Sequence, residues 1–429
     1  MIIIRTPCGD TKETKIGKNV KQGTIWGAPL CANTIDQITP IMKEENLGIN
    51  FGKLKIHPLL YQDDILACSI TSNMLRQQTE RLETFQNEKL MKFGNSKTKI
   101  VTISSNKSKR QPIDMCLNDT KIETVDKYKY LSMYLNKQDS LSETIERRKA
   151  PLKKISFEIS SLLKRTSNAR QQFFKNGILL YNSIIKSTFL YAGETWTNVT
   201  KTQYNKLEQI QAKTLKTIFG FEKSTPNIGL LNELGILPIE FQLKKMRLML
   251  LHKINNLPNS RLIKQVFNEQ KRIGFPRCWW EEVKQDLVWL NLPTSADIIT
   301  KSSKSMWGNE IDKRLINKFN EKLNDLRNKL SCNNKLKYLT LFTGKPKSYL
   351  NGKQSRDILR SKLCMQRTRN NFKGKFKNIT CRMCEIAPES YEHIIKNHAK
   401  RSKVDDIYSD DYECLGKYTN EIMKFIRRV

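Results

Sequence analysis

Acidic residues are scarce. Against 76 Lys and Arg the 429-residue chain sets only 42 Asp and Glu, a formal net charge of +34. That deficit argues against an ordinary metabolic enzyme. The cations are spread along the chain rather than gathered in one tail, so they point to a polyanionic partner, RNA or DNA being the commonest. Long apolar runs are missing too: none approaches the roughly 18 residues of a spanning helix, which argues against a membrane partner. Met1-Ile2-Ile3-Ile4-Arg5 is too short an apolar stretch for a secretory leader. Ten scattered cysteines do not make a disulfide scaffold. They imply a reducing compartment, and the expected location is intracellular, in the nucleus and/or cytoplasm. Hydrophobic content of 38% and aromatic content of 8% are low, yet sufficient for a core. There is no internal repeat and no low-complexity segment, and the length calls for two or three modules.

What is present changes character along the chain. In the first third, residues 53–70 (KLKIHPLLYQDDILACSI) give two short apolar runs around Gln62-Asp63-Asp64, the pattern of a hairpin with an acidic tip. A helix is expected from Asn73, with Leu75, Leu82 and Phe85 on one stripe, and residues 98–104 and 127–135 alternate like strands. After Ser140 the period becomes helical. Ser140 with Glu143 fits a capping box. Leu152, Ile155, Ile159 and Leu162 predict an apolar stripe flanked by Lys153, Lys154, Lys164 and Arg165, with Pro151 expected to kink or restart the helix. Further helices are expected at 171–191, at 201–218 (Leu207, Ile210, Thr214, Ile218; N-cap Thr200), at 239–254 and at 310–330. Trp279, Trp280, Trp289 and Trp307 suggest small packed helices between them.

Adjacent carboxylates on a hairpin tip are a recurring way to hold divalent cations, because hard oxygen ligands suit magnesium and a paired-ion site stabilises both attacking and leaving oxygens in phosphoryl transfer. By itself the Asp63-Asp64 pair fits a plain turn equally well, since Asp is favoured there for its hydrogen bond to its own backbone. The surroundings add to it. Gln22-Gly23-x-x-x-Gly27-x-Pro29-Leu30 stands upstream; Phe93-Gly94-x-x-Lys97-Thr98 and Tyr130-Leu131-Ser132 follow.

In that order these segments resemble the palm of a reverse transcriptase. The resemblance makes Asp63 and Asp64 catalytic magnesium ligands, Gln22 and Gly23 the element beneath nucleotide and template, Lys97 the lysine after the following helix, and Tyr130-Leu131 the primer-grip turn. It extends to non-LTR (LINE-type) retrotransposon polymerases, whose thumb is similar to Leu190-Tyr191-x-x-Glu194-x-Trp196, the Leu207/Ile210 helix and Ser224-Thr225-Pro226 leading into Leu234-Gly235-Ile236. Such enzymes copy RNA into DNA with two magnesium ions. The resemblance implies an α+β fold: a partial palm (1–138), a helical thumb (139–256), a mainly helical connector (257–372), and a basic segment with a zinc knuckle and C-terminal tail (373–429).

Two departures follow. The family places a third carboxylate on a strand before the Gln-Gly segment, where this sequence offers only Asp10, in the turn Thr6-Pro7-Cys8-Gly9-Asp10; fingers and first palm strand are missing. Ser132 stands where the primer grip has glycine. Two aspartates without a facing carboxylate cannot bridge two cations, so this chain alone is expected not to polymerise nucleotides.

Near the C-terminus, Cys381-x2-Cys384-x8-His393-x4-His398 has the ligand types and spacing of a closed tetrahedral zinc site, and it uses two of the chain's four histidines. With four protein ligands the zinc would be structural and would supply folding energy to a small unit. The alternative is a reduced CxxC beside incidental histidines. Lys373, Lys375 and Lys377, with Arg367, Arg369, Phe372 and Phe376, fit either phosphate contacts and base stacking or a solvated basic linker. His57 and His252 are expected to be packed or capping residues. Cys8, Cys31, Cys68, Cys116, Cys278, Cys332, Cys364 and Cys414 are expected to be small core residues. The acidic run Asp405, Asp406, Asp410, Asp411, Glu413 reads as a solvated turn. Two functions compete: a polymerase completed by an upstream polymerase or endonuclease part, and a co-opted or degenerate zinc-knuckle protein that only binds nucleic acid.

Overall fold

The computed structural model describes residues 5–7, 9, 10, 12, 25–104, 112–138, 140–165, 169–295, 299, 302–329, 339–351, 355–366, 368, 378–382, 384–390, 393, 394 and 397. The fold is mixed α and β, with short two-stranded sheets and predominantly helical structure. The chain divides into two compact units, Met1–Lys129 with Leu135–Asp139, and Tyr130–Tyr134 with Ser140–Val429.

In the first unit, β1 (Arg5–Thr6) pairs antiparallel with β2 (Gly9–Asp10), so Asp10 lies in a strand opposite Arg5. Helices α1 (Gly27–Asp36) and α2 (Ile38–Glu44) precede two hairpins, β3 (Ile49–Phe51) with β4 (Leu54–Ile56), and β5 (Leu59–Tyr61) with β6 (Asp64–Leu66). Helix α3 (Ser72–Lys89) starts one residue before the expected Asn73, because Thr71 caps it: the Thr71 hydroxyl accepts from the Met74 amide at 3.2 Å. Its apolar stripe serves two small cores. Phe85 and Leu82 pack with Ile38, Met42 and Leu47, while Leu75 packs with Ile100, Met115, Leu117 and Ile122. Only Lys99–Ile100 of the expected 98–104 strand forms, as β7, parallel to β10 (Glu123–Thr124); β8 (Cys116–Leu117) and β9 (Thr120–Lys121) make a further hairpin. The alternating 127–135 segment is not one strand. It is β11 (Lys127–Tyr130) and β12 (Met133–Asn136) about a turn in which Leu131 and Ser132 both take positive φ, 44° and 64°.

The second unit is helical. Helix α4 (Ser142–Arg165) runs unbroken through Pro151 rather than restarting there. Pro151 and Arg147 are both exposed, so the carbonyl that loses its partner lies on the solvent side, while Ile145, Arg148 and Leu152 hold the turns around it. Its buried stripe also differs from expectation. Ile145, Leu152, Ile159 and Leu163 are inward, and Leu162 faces out. Next come α5 (Ala169–Leu180), a π-helical stretch Tyr181–Lys186, α6 (Ser187–Phe189), a 3-10 turn Gly193–Thr195 and α7 (Lys201–Phe219). Helix α7 opens on a full capping box between Thr200 and Gln203. Then follow α8 (Asn227–Leu234), α9 (Ile239–Asn255), α10 (Leu262–Ile273), α11 (Trp279–Trp289), α12 (Lys304–Lys329) and α13 (Ser355–Lys362). One apolar core runs from Ile145 to Met365. The tryptophans pack as expected: Trp280 meets Phe267 edge-on at 5.4 Å, and Trp289 meets Phe241 at 5.2 Å. An ion cluster lies inside that core. Arg247 on α9 donates to Asp286 on α11 at 2.8 Å, and Lys244 reaches the same carboxylate at 2.8 Å. Burial opposes the Arg247 charge, but Asp286 outweighs it and holds the guanidinium above its ordinary pKa.

Candidate metal centre and nucleic-acid surfaces

Residues 378–382 and 384–390 form a tight knuckle. Thr380 bridges Pro388, the Cys381 amide donates to Ala387 O at 2.8 Å, and the Glu389 amide donates to Ile379 O at 2.8 Å. The turn places Cys384 back beside Cys381, with the Glu385 amide donating to Cys381 O at 2.9 Å. The Ser390 hydroxyl accepts from the His393 amide at 3.0 Å and the Ser390 carbonyl accepts from the Ile394 amide at 3.1 Å, which holds His393 beside the knuckle. The ligand atoms of Cys381, Cys384 and His393 all lie within 4.8 Å of one another, with Cys384 Sγ 3.2 Å from His393 Nε2. Backbone N–H groups, that of Ile386 foremost, lower the Cys384 thiol pKa and so favour the thiolate a metal requires. This cluster can hold a metal ion.

Two further contacts support the ligands. Glu389 is fully buried, and its carboxylate accepts from Arg382 Nε and Nη2, each at 2.7 Å, and from the Arg382 amide at 3.3 Å. The guanidinium, its pKa raised by that carboxylate, thus ties the residue between the cysteines to the far side of the loop. Asn397 places its side-chain amide 2.9 Å from His393 Nδ1, in position to fix the ring. Sequence spacing reveals the ligands but not these partners. Of the expected ligands, His398 lies outside the described residues, as do Lys373, Lys375, Lys377, Gln22 and Gly23.

The acidic tip forms as a hairpin in the register Tyr61↔Asp64. Tyr61, Gln62, Asp63 and Asp64 are all exposed, and Gln62 carries φ 55°, a left-handed conformation uncommon for a residue with a side chain. Among the described residues, no set of three His, Cys, Asp or Glu side chains with ligand atoms within 4.8 Å of one another includes Asp63 or Asp64. Lys97 sits exposed in the turn after α3, where its amide donates to Gly94 O at 2.9 Å and its carbonyl accepts from the Tyr128 hydroxyl at 2.9 Å.

In the second unit, Tyr130 and Leu131 sit at the β11–β12 turn. The two left-handed residues there resemble a type I′ turn, which Asn-Gly normally supplies. Ser132 adopts φ 64° without being glycine. Arg148 grips this turn: its guanidinium donates to Ser132 O at 3.2 Å, to Phe189 O at 2.9 Å and to Tyr191 O at 3.0 Å. The Trp196 ring lies 5.4 Å from the charge. Sequence reading missed Arg148, although a lone arginine in step with Ile145 and Leu152 on an apolar stripe was its signal.

Each of the other two histidines is hydrogen-bonded to a backbone carbonyl. His57 Nδ1 meets Leu47 O at 2.6 Å, and His252 Nε2 meets Ser302 O at 2.9 Å. The non-knuckle cysteines depart from expectation. Cys31, Cys68, Cys278 and Cys364 are only half-buried and Cys116 is exposed. Cys8, Cys332, Cys414 and the acidic run after Asp405 lie outside the described residues. No described helix is long and apolar enough to cross a membrane. The chain matches no known protein family, and no curated protein matches it.

Proposed function

We propose that this chain is a nucleic-acid-binding protein of the non-LTR (LINE-type) reverse-transcriptase lineage that does not polymerise nucleotides on its own. The observation that carries the reading is the surplus of cations, +34 in all. Its partners are RNA and/or DNA, and its location is the nucleus and/or cytoplasm. Cys381, Cys384 and His393, with His398 from the sequence spacing, would hold one structural zinc. Two thiolates and imidazole suit zinc, and a fourth protein ligand would close the site to substrate. Zinc would supply folding energy; this chain's residues supply the thiolates, the ring orientation and the Arg382–Glu389 tie.

The silence of the polymerase follows from the exposed tip. Asp63 and Asp64 offer oxygens for magnesium, but in solvent and with no third carboxylate grouped with them among the described residues they would hold it weakly. The hairpin register also favours a second reading, an RNA-directed DNA polymerase completed by a carboxylate from a complementing upstream part. Primer extension on a poly(rA) template with magnesium tests the first reading. We expect no template-dependent synthesis from purified protein; synthesis that disappears in Asp63→Ala would overturn it.

A further inference from the structure

We infer that the outer face of α4 is a platform for unpaired nucleic acid, with Phe157 stacking on a base and the flanking cations gripping its phosphates. The inference rests on the nucleic-acid reading above and adds the place and the strand type.

Phe157 is 70% exposed in the middle of a 24-residue helix. Helix α4 does not need it for packing, since Leu152, Ile159 and Leu163 already fill the inward stripe. A single exposed apolar side chain is ordinary on a protein surface. The surroundings of this one are not. Lys153, Lys154, Lys164 and Arg165 are exposed, and no carboxylate among the described residues pairs with any of them. At about 100° per residue these four lie within roughly 80° of Phe157 around the helix axis. The two pairs are about 16 Å apart along the axis, with the ring between them. Two acids share the neighbourhood. Glu158 is exposed, about 100° round from Phe157. Glu146, three turns back, is already engaged by Lys149 and Lys206.

Charge complementarity selects the occupant. A second copy would bring the same four cations and the same +34 net charge against this face. A duplex satisfies the cations but offers no free base face to the ring, whereas an unpaired strand offers both. Stacking of this kind tolerates any base and takes its salt dependence from the phosphates.

The test uses the full chain, its zinc retained, with a fluorescein-labelled 20-mer of oligo(U), the same strand carrying one 2-aminopurine, and a 20-base-pair duplex. Phe157→Ala should weaken oligo(U) binding about tenfold and abolish 2-aminopurine quenching, with its salt slope unchanged. Phe157→Tyr should restore both. Lys153→Ala with Lys154→Ala should instead reduce the salt slope by about 1.4, or roughly 0.7 for each phosphate no longer neutralised. Unchanged thermal unfolding of Phe157→Ala is expected from its exposure and keeps the comparison on binding. If wild type binds oligo(U) and Phe157→Ala binds it equally, with quenching intact, this inference is overturned and the general reading stands. Equal loss of duplex binding, or a wild-type dimer that Phe157→Ala converts to monomer, also overturns it. If wild type binds no oligonucleotide at low salt, the general reading falls and this one with it.

Discussion

Glu389→Gln probes whether the knuckle depends on more than its ligands. The substitution keeps the side chain's shape and removes its charge, so Arg382 loses a bidentate carboxylate partner at 2.7 Å on both arms. A hydrogen bond to a charged group contributes about 1.5–3 kcal/mol. Arg382 keeps 18% of its side chain exposed while Glu389 keeps none, so water recovers part of the loss on the arginine side. The lower end of that range, about 1.5 kcal/mol, is therefore expected, a factor of roughly ten in an equilibrium constant. The ligands sit on one short loop, so metal binding and the ordering of that loop are expected to be coupled, and the penalty should appear as weaker metal affinity. Competition against a chromophoric zinc chelator should show Kd raised about tenfold at unchanged one-to-one stoichiometry, in line with the effect of removing other partners of metal ligands. Cobalt substitution should give the same tetrahedral absorption in both proteins, because the ligands are untouched. A Kd within about twofold of wild type would refute the tie, since removing even one charge-assisted bond exceeds that factor.

Two more outcomes follow from groups inside the second unit. Asp286→Ala removes the nearest carboxylate from buried Arg247 and from half-buried Lys244, leaving Glu282 and Glu240 each at 3.7 Å, and should cost about 3 kcal/mol in urea unfolding, the lower end for a broken buried pair; adding Arg247→Met should recover much of it, and a cost below about 1 kcal/mol for Asp286→Ala alone would contradict the geometry. Burial pushes the Tyr181 phenol up to about 12 from 10, against hydrogen bonds from Gln211 and Gln242. A phenol held neutral in the fold stabilises it fully below pH 10 and loses that contribution as pH climbs through about 12. By pH 11 wild type should therefore have lost about 1.4 kcal/mol relative to Tyr181→Phe, measured by unfolding at pH 9 and 11; a constant difference would refute it.

Local signals carried much of the fold and the candidate site. Thr200 and Gln203 announce α7 because their capping box is made within four residues. The β5–β6 hairpin and the CxxC knuckle are legible for the same reason: both close over short spans. What escaped depends on distant partners. Pro151 reads as a break, yet α4 continues through it, with Ile145, Leu152 and Ile159 packed in the core on either side. Tyr130-Leu131-Ser132 is marked as a turn only by its resemblance to a primer grip, with no Asn-Gly to set it, and Arg148, reaching from the following helix, shows why the left-handed turn is held. Leu162 and Leu163 are adjacent, and only the neighbouring helices decide which of them turns inward. The Arg382–Glu389 pair has no sequence spacing to betray it, since any acid seven residues along would fit the pattern.

The most direct measurement of the central claim is a filter-binding titration of the full chain on single-stranded RNA at several salt concentrations. If six to ten phosphates of a single strand are neutralised, affinity should fall by about two and a half to four orders of magnitude between 50 and 200 mM salt, linearly on logarithmic axes. A flat response across that range would show that phosphate contacts are not what this basic surface is for.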